Sequence, residues 1–425
     1  MKYAVFTDDM KKDYTILVPT MLPVHFTMAM SVFRANGYNT VLLENKGDAV
    51  KNAGLKYVHN DTCYPAQVVI GQMIDAIENG GYDKHKIALL ITQTGGGCRA
   101  SNYISLLRKA LEKAGYGYIP VLSLNISGLD NALKLTLPML KRLMYAVSVG
   151  DLLMCLGNQT RPYENEPGST DELIDYWTNR CSAALCDKKV SYDIMEDLMK
   201  KIIEDFEELP RTVTDKPKVG IVGEIFVKFS PLGNNDLEAF LHSQGAEVVM
   251  GGLLDFCMYC IYNYIVDAKL YGMGKIKAFF CKKVYSYLLE KQLDIINLIR
   301  GMSRFNPPGD FAHTVSLTKG FIGLGAKMGE GWLLTAEIIE LIESGVKNVI
   351  CAQPFGCLPN HIVGKGMMKR IKEAYPDVNL VAIDYDAGAS RVNQENRIKL
   401  MLANSMEKNN KIITQEQNRE TVIVE

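Results

Sequence analysis

The chain has no long apolar run and no strong charge of either sign. Its 425 residues carry 47 Lys and Arg against 48 Asp and Glu, a formal net charge of −1. That balance advertises no basic face for nucleic acid. The opening MKYAVFTDDMKKDY lacks an apolar stretch of signal-peptide length and carries acids early, so no secretory leader is predicted. The most apolar segment, GLLDFCMYCIYNYIV, is interrupted by Asp255 and Asn263 and is too short to span a bilayer. No G-x-x-x-x-G-K-S/T loop is present. KVGIVGE offers only a weak nucleotide-loop signal, and without G-x-G-x-x-G it does not predict NAD. No repeat of solenoid length is found. The expectation is a cytoplasmic protein of two or three domains, with neither nucleic acid nor membrane as partner.

What is present is an alternation of apolar strands and amphipathic helices. YTILVPTM, NTVLLE, KIALLITQ and IPVLSLN read as strands separated by helices, which predicts a parallel sheet covered on both faces. From about residue 130 to 210 the pattern is helical, and ELPRTVTDKPK reads as a linker. A second alternating unit begins at KVGIVG, carries a long helical insertion to about residue 302, and ends in NLVAIDYD and a last helix. The predicted fold is α/β with two Rossmann-like parallel-sheet domains, 1–130 and 213–409. A helical segment at 131–212 intervenes, and a polar tail covers 410–425.

Ten cysteines are many for such a chain, and disulfides are not expected without a secretory context. Three lie in loops with unusual flanks. Cys63 precedes Pro65 in DTCYPA, Cys98 follows three glycines in TQTGGGCRASNY, and Cys357 sits in QPFGCLPNH. Cys98 and Cys357 fall after predicted strands, where functional groups of parallel sheets gather. Cys63 opens a predicted helix, whose N-terminus favours a thiolate. The glycines let backbone amides approach a ligand. The pattern admits a shared metal site, three small structural thiols, or a reactive nucleophilic cysteine. Three thiolates suit a [4Fe–4S] cluster with one iron open. Zinc with His361 as fourth ligand fits the same donors.

Other residues admit two readings each. Cys257 and Cys260 share a helix face as core thiols, or as redox partners or ligands of a second cubane. Cys155 and Cys281 lie in apolar runs and read as core, Cys351 as structural, Cys181 and Cys186 as incidental. Glu224 is a strand-end proton donor, a group beside a cluster, or a cap. Glu330 complements the dipole of the helix it starts, or is an acid near the site. His361 is a hydrogen-bond donor to a cluster, a proton donor, or a turn cap. Arg99 is placed to pair with an anionic cluster or substrate, and Asn102 to cap its helix. Asp384, Asp386 and Ser390 follow a strand and form either a site or a turn.

DTCYPA, TQTGGGCRASNY, GEIFVKF, GEGWLLTAEIIELIESGVKNVICAQPFGCLPNHIVGKG and AIDYDAGASRVNQENRIKLML together resemble the 2-hydroxyacyl-CoA dehydratase superfamily. The resemblance is greatest to its branch associated with ATP-dependent dehydratase activases and covers most of residues 1 to 405. It implies a [4Fe–4S] cluster held by Cys63, Cys98 and Cys357 in a cleft between Rossmann-like domains. It implies radical dehydration of an acyl-CoA, or reduction of a small molecule, driven by low-potential electrons from a separate ATP-hydrolysing activase. A related group carries a double-cubane [8Fe–9S] cluster and reduces small molecules. Glu224, Glu330 and His361 are the candidate catalytic residues. A homo- or heterodimer is expected. A non-catalytic iron–sulfur electron-transfer or assembly subunit is the alternative role, and a zinc-bound or metal-free binding module a third.

Overall fold

The computed structural model describes residues 3–93, 97–125, 133 and 135–404. Residues 94–96 of the glycine loop, the expected domain boundary near 130, and the expected tail lie outside the described residues. The first sheet contains β1 (Thr15–Pro19), β2 (Thr40–Leu43), β3 (Ile87–Gln93) and β4 (Val121–Asn125), ordered β2-β1-β3-β4 and parallel throughout. The second contains β5 (Lys218–Gly223), β6 (Glu247–Val249), β7 (Asn348–Pro354) and β8 (Asn379–Tyr385), ordered β6-β5-β7-β8 and also parallel.

Alternate strand residues point to opposite faces, so a sheet covered twice needs apolar residues at every position. Leu17, Leu89 and Ile91 pack against the helix Tyr64–Asn79, while Ile16, Val18, Ala88 and Leu90 pack with residues of the helices Pro23–Ala35 and Leu137–Thr160. In the second domain Val222, Val349 and Cys351 meet the helix Gly331–Glu343. Val219, Ile221, Ile350, Ala352 and Ile383 face the other way and join the core that contains Leu89 and Ile91. One apolar core therefore runs between the two sheets and ties the domains together.

The helices between residues 137 and 208 do not stand apart. They cover the outer face of the first sheet, with Met195, Met199, Ile202 and Phe206 sealed into its core. The expected linker is also tied down. Thr212 N–H donates to the Tyr163 carbonyl at 2.8 Å, and Arg211 pairs with Glu207 at 2.9 Å. The helix Asp48–Tyr57, absent from the expected elements, buries Val50, Ala53 and Gly54 against the helix Tyr64–Asn79. The insertion in the second domain is a helical hairpin, Leu253–Tyr271 and Lys275–Met302. Its turn needs glycine: Gly272 and Gly274 have φ of +69° and +63°.

Candidate metal centre

The three loops converge on one cavity of about 520 Å³. Its wall includes Cys63, Cys98, Cys357, Glu224 and Glu330, together with Arg99, Tyr103, Phe256, Met328 and Ile362. Each cysteine caps a helix. Cys63 precedes Tyr64–Asn79, Cys98 precedes the 3₁₀ turn Arg99–Asn102 after β3, and Cys357 precedes Leu358–Val363 after β7. Pro65 and Pro359 sit in the first turns, where a missing N–H costs nothing. The cavity thus lies at the carboxyl ends of β3, β5 and β7.

Two contacts between the domains set the Cys63 and Cys357 loops. Tyr64 N–H donates to the Phe355 carbonyl at 3.0 Å. Gly356 has φ +72°, and a side chain there would meet Cys63 Cα at 3.1 Å. The Gly356 of QPFGC is thus explained by a close approach of two backbones. Gly97 packs against the Met328 side chain, a flexible neighbour that could shift to admit a Cβ.

The carboxylates have structural duties as well. Glu224 follows β5 and accepts Val227 N–H at 2.9 Å, capping its own short helix Ile225–Phe229. Glu330 makes no cap bond to the helix it precedes; its carboxylate accepts Ile225 N–H at 3.0 Å. The expected self-capping by Glu330 is therefore replaced by capping of a neighbouring helix. Burial pushes Glu224 up to about 8, with Glu330 beside it adding to the effect. Glu330 is raised as well, chiefly by burial. The two form a buried acid pair that favours the protonated form.

The thiols behave differently from the expectation drawn from helix N-termini. Burial raises Cys63, Cys98 and Cys357 above the ordinary thiol value, and Glu224 raises all three further. Burial outweighs the backbone N–H groups that favour the thiolate, those of Ala66 at Cys63, Ala100 and Ser101 at Cys98, and Asn360 at Cys357. Cys63 Sγ lies 3.5 Å from Tyr103 Oη, a contact that opposes the rise. Tyr103 was not singled out in the sequence, although it starts the helix that follows the Arg99–Asn102 turn after Cys98.

His361 is not in the cavity wall. It is exposed, and its ring meets the Gln353 amide. Asn102 makes no side-chain cap bond. Asp384 pairs at 3.7 Å with Lys365 and with Arg397, and Asp386 O closes a turn with Ala389 N–H. Cys181 and Cys351 are buried, while Cys281 is only half-buried and thus not the core residue its apolar run suggested. Among the described residues, the cavity wall contains no cysteine besides the three.

Among the described residues, no group of three or more His, Cys, Asp and Glu side chains is placed to hold a metal ion. The donor set is three soft sulfurs spread over separate loops around a roomy cavity. It fits a polynuclear cluster better than zinc, which needs four donors in one tight tetrahedron. Compared with protein-family models and with curated proteins, the chain matches none.

Proposed function

We propose that this chain is an iron–sulfur protein that performs or supports ATP-linked, low-potential electron transfer in radical dehydration or reduction. The observation that carries the reading is the convergence of Cys63, Cys98 and Cys357, from two domains, on one cavity. These three would hold a [4Fe–4S] cluster, which supplies low-potential electrons and an iron open to substrate when bound. The volume of about 520 Å³ suits a small molecule or the acyl end of a thioester. Phe256, Met328 and Ile362 give the wall an apolar portion. Glu224, raised by burial and by Glu330 beside it, is placed to hold a proton at that wall for a leaving hydroxyl or a reduced product. Exposed Arg99 offers a positive charge to an anionic group. ATP hydrolysis is assigned to a separate activase chain. The single-cluster form is favoured over a double cubane because only three cysteines line the cavity among the described residues.

A test follows from the protonated thiols. Three protons must leave before sulfur can ligate iron, so uptake releases protons and strengthens with pH. Metal-free chain reconstituted anaerobically with iron and sulfide is expected to bind iron more tightly at about pH 9 than at about pH 7. Uptake that is independent of pH, or unaffected when the three cysteines are blocked by alkylation, contradicts the ligand assignment. Turnover of an acyl-CoA with activase, ATP and reductant separates the catalytic role from that of a carrier subunit.

A further inference from the structure

A second empty space lies beside the candidate metal centre, toward the first sheet. It measures about 170 Å³. The helix Pro23–Ala35 lends it Phe26, Ala29, Met30 and Phe33, and Leu143 and Phe226 flank it. It rests on the ends of β1 and β3, where Val18 and Ile91 are buried. Among the described residues, only Thr92, Tyr103 and Glu224 bring a polar side chain to its wall. Protein cores are close-packed and seldom leave a void larger than a water molecule. Water gains little in an apolar void, because it needs polar partners, whereas an apolar group is at home there. About 150 Å³ is room for a benzene ring, so this recess takes one phenyl ring or roughly six aliphatic carbons.

The recess and the metal cavity share four wall residues, Ala100, Tyr103, Glu224 and Ile225. Tyr103 ties this boundary to the sulfur side, its Oη 3.5 Å from Cys63 Sγ. Ala100 contributes no more than a methyl group to it. Glu224 therefore stands where the two spaces meet.

We propose that this recess seats an apolar tail of the substrate, which makes the substrate an acyl thioester with a chain of roughly six carbons or one aromatic ring, and not a small polar molecule. The proposal rests on the iron–sulfur reading above, since it takes the three-cysteine cavity as the reacting site. A tail in the recess leaves the polar end of the molecule in the cavity, where Arg99 and the three cysteines stand. The carbons next to the tail then lie along Glu224, at the boundary of the two spaces. Ala29 and Leu143 set the size of tail that is accepted. A larger residue at position 29 fills the recess, and a smaller one at position 143 extends it.

The test measures binding and needs no turnover. Acetyl-, butanoyl-, hexanoyl-, octanoyl- and decanoyl-CoA are titrated calorimetrically against the full-length chain, both reconstituted anaerobically with iron and sulfide and metal-free. Each buried methylene is expected to tighten binding about three- to fourfold, so hexanoyl-CoA should bind roughly 100-fold more tightly than acetyl-CoA. The gain should end at about six carbons, with decanoyl-CoA no tighter than hexanoyl-CoA. Ala29→Phe is expected to bring the hexanoyl-to-acetyl ratio below about 5. Leu143→Ala is expected to move the end of the gain to about eight carbons. A parent that binds none of the series, or binds all of it alike, while holding about four irons overturns the proposal and leaves the cluster standing. A length preference that neither variant moves also overturns it, because the tail then sits elsewhere. A preference that both variants move, in a chain that takes up no iron, supports the recess and removes the iron–sulfur reading.

Discussion

Cys357→Ser, purified and reconstituted anaerobically, is expected to fall from about four irons per chain to fewer than about one. Among the described residues no cysteine besides Cys63, Cys98 and Cys357 lines the cavity, so no further thiol stands beside Cys357 to replace it. A hydroxyl is a harder and far less acidic ligand than a thiol, and iron–sulfur clusters select soft thiolates. The fold should survive, because the side chain faces a cavity rather than the packed core. Far-UV circular dichroism and a melting curve close to the parent, together with lost iron, separate ligand loss from misfolding. Cys351→Ser is the matched control. Cys351 lies fully buried in β7, so its effect should appear in stability and not in the iron content of the folded fraction.

Lys228→Met is expected to destabilise the chain by about 3–5 kcal/mol. Lys228 is 4% exposed, and its ammonium donates to Glu337 at 3.0 Å. Removing the cation leaves Glu337 buried with no opposite charge. Asp255 offers no relief, because it is itself an acid. Burial and the carboxylates around it raise its pKa well above the usual range. The pair bridges the short helix Ile225–Phe229 and the helix Gly331–Glu343, so its loss loosens the strand-end region that carries Glu224 and Glu330. Lys228→Met/Glu337→Leu should recover much of the loss, since both charges are then gone. Chemical denaturation of the three proteins measures this; a single variant as stable as the parent would show that the pair contributes little.

The sheets were legible because parallel strands covered on both faces must be apolar at consecutive positions, as Ile16–Val18 of β1 and Val349–Ala352 of β7 are. Cys98 and Cys357 were legible for a related reason: they follow β3 and β7, at the end of a sheet where loops meet. Cys63 was reached by its Pro65 and its place at a helix start, not by a strand. Other features depend on contacts far apart in the chain. Glu330 caps a helix 105 residues away, and no local pattern announces that. The duty of Gly356 depends on the backbone of Cys63, almost three hundred positions earlier. His361 misled by proximity. The short helix Leu358–Val363 buries Asn360 and Val363, and a residue one step from Asn360 turns about 100° away from that face. The thiolate expectation failed in magnitude rather than in placement. The caps are where the helix starts predicted them, but burial beside two glutamates opposes ionisation more strongly than the backbone N–H groups favour it.

The central claim is a cluster held by three loops, and its most direct test is the iron and acid-labile sulfide content of anaerobically purified chain. Electron paramagnetic resonance after dithionite reduction completes the measurement. The account predicts about four irons and four sulfides per chain, with a paramagnetic signal that appears on reduction. Stoichiometric zinc, or no metal after anaerobic reconstitution, would contradict it.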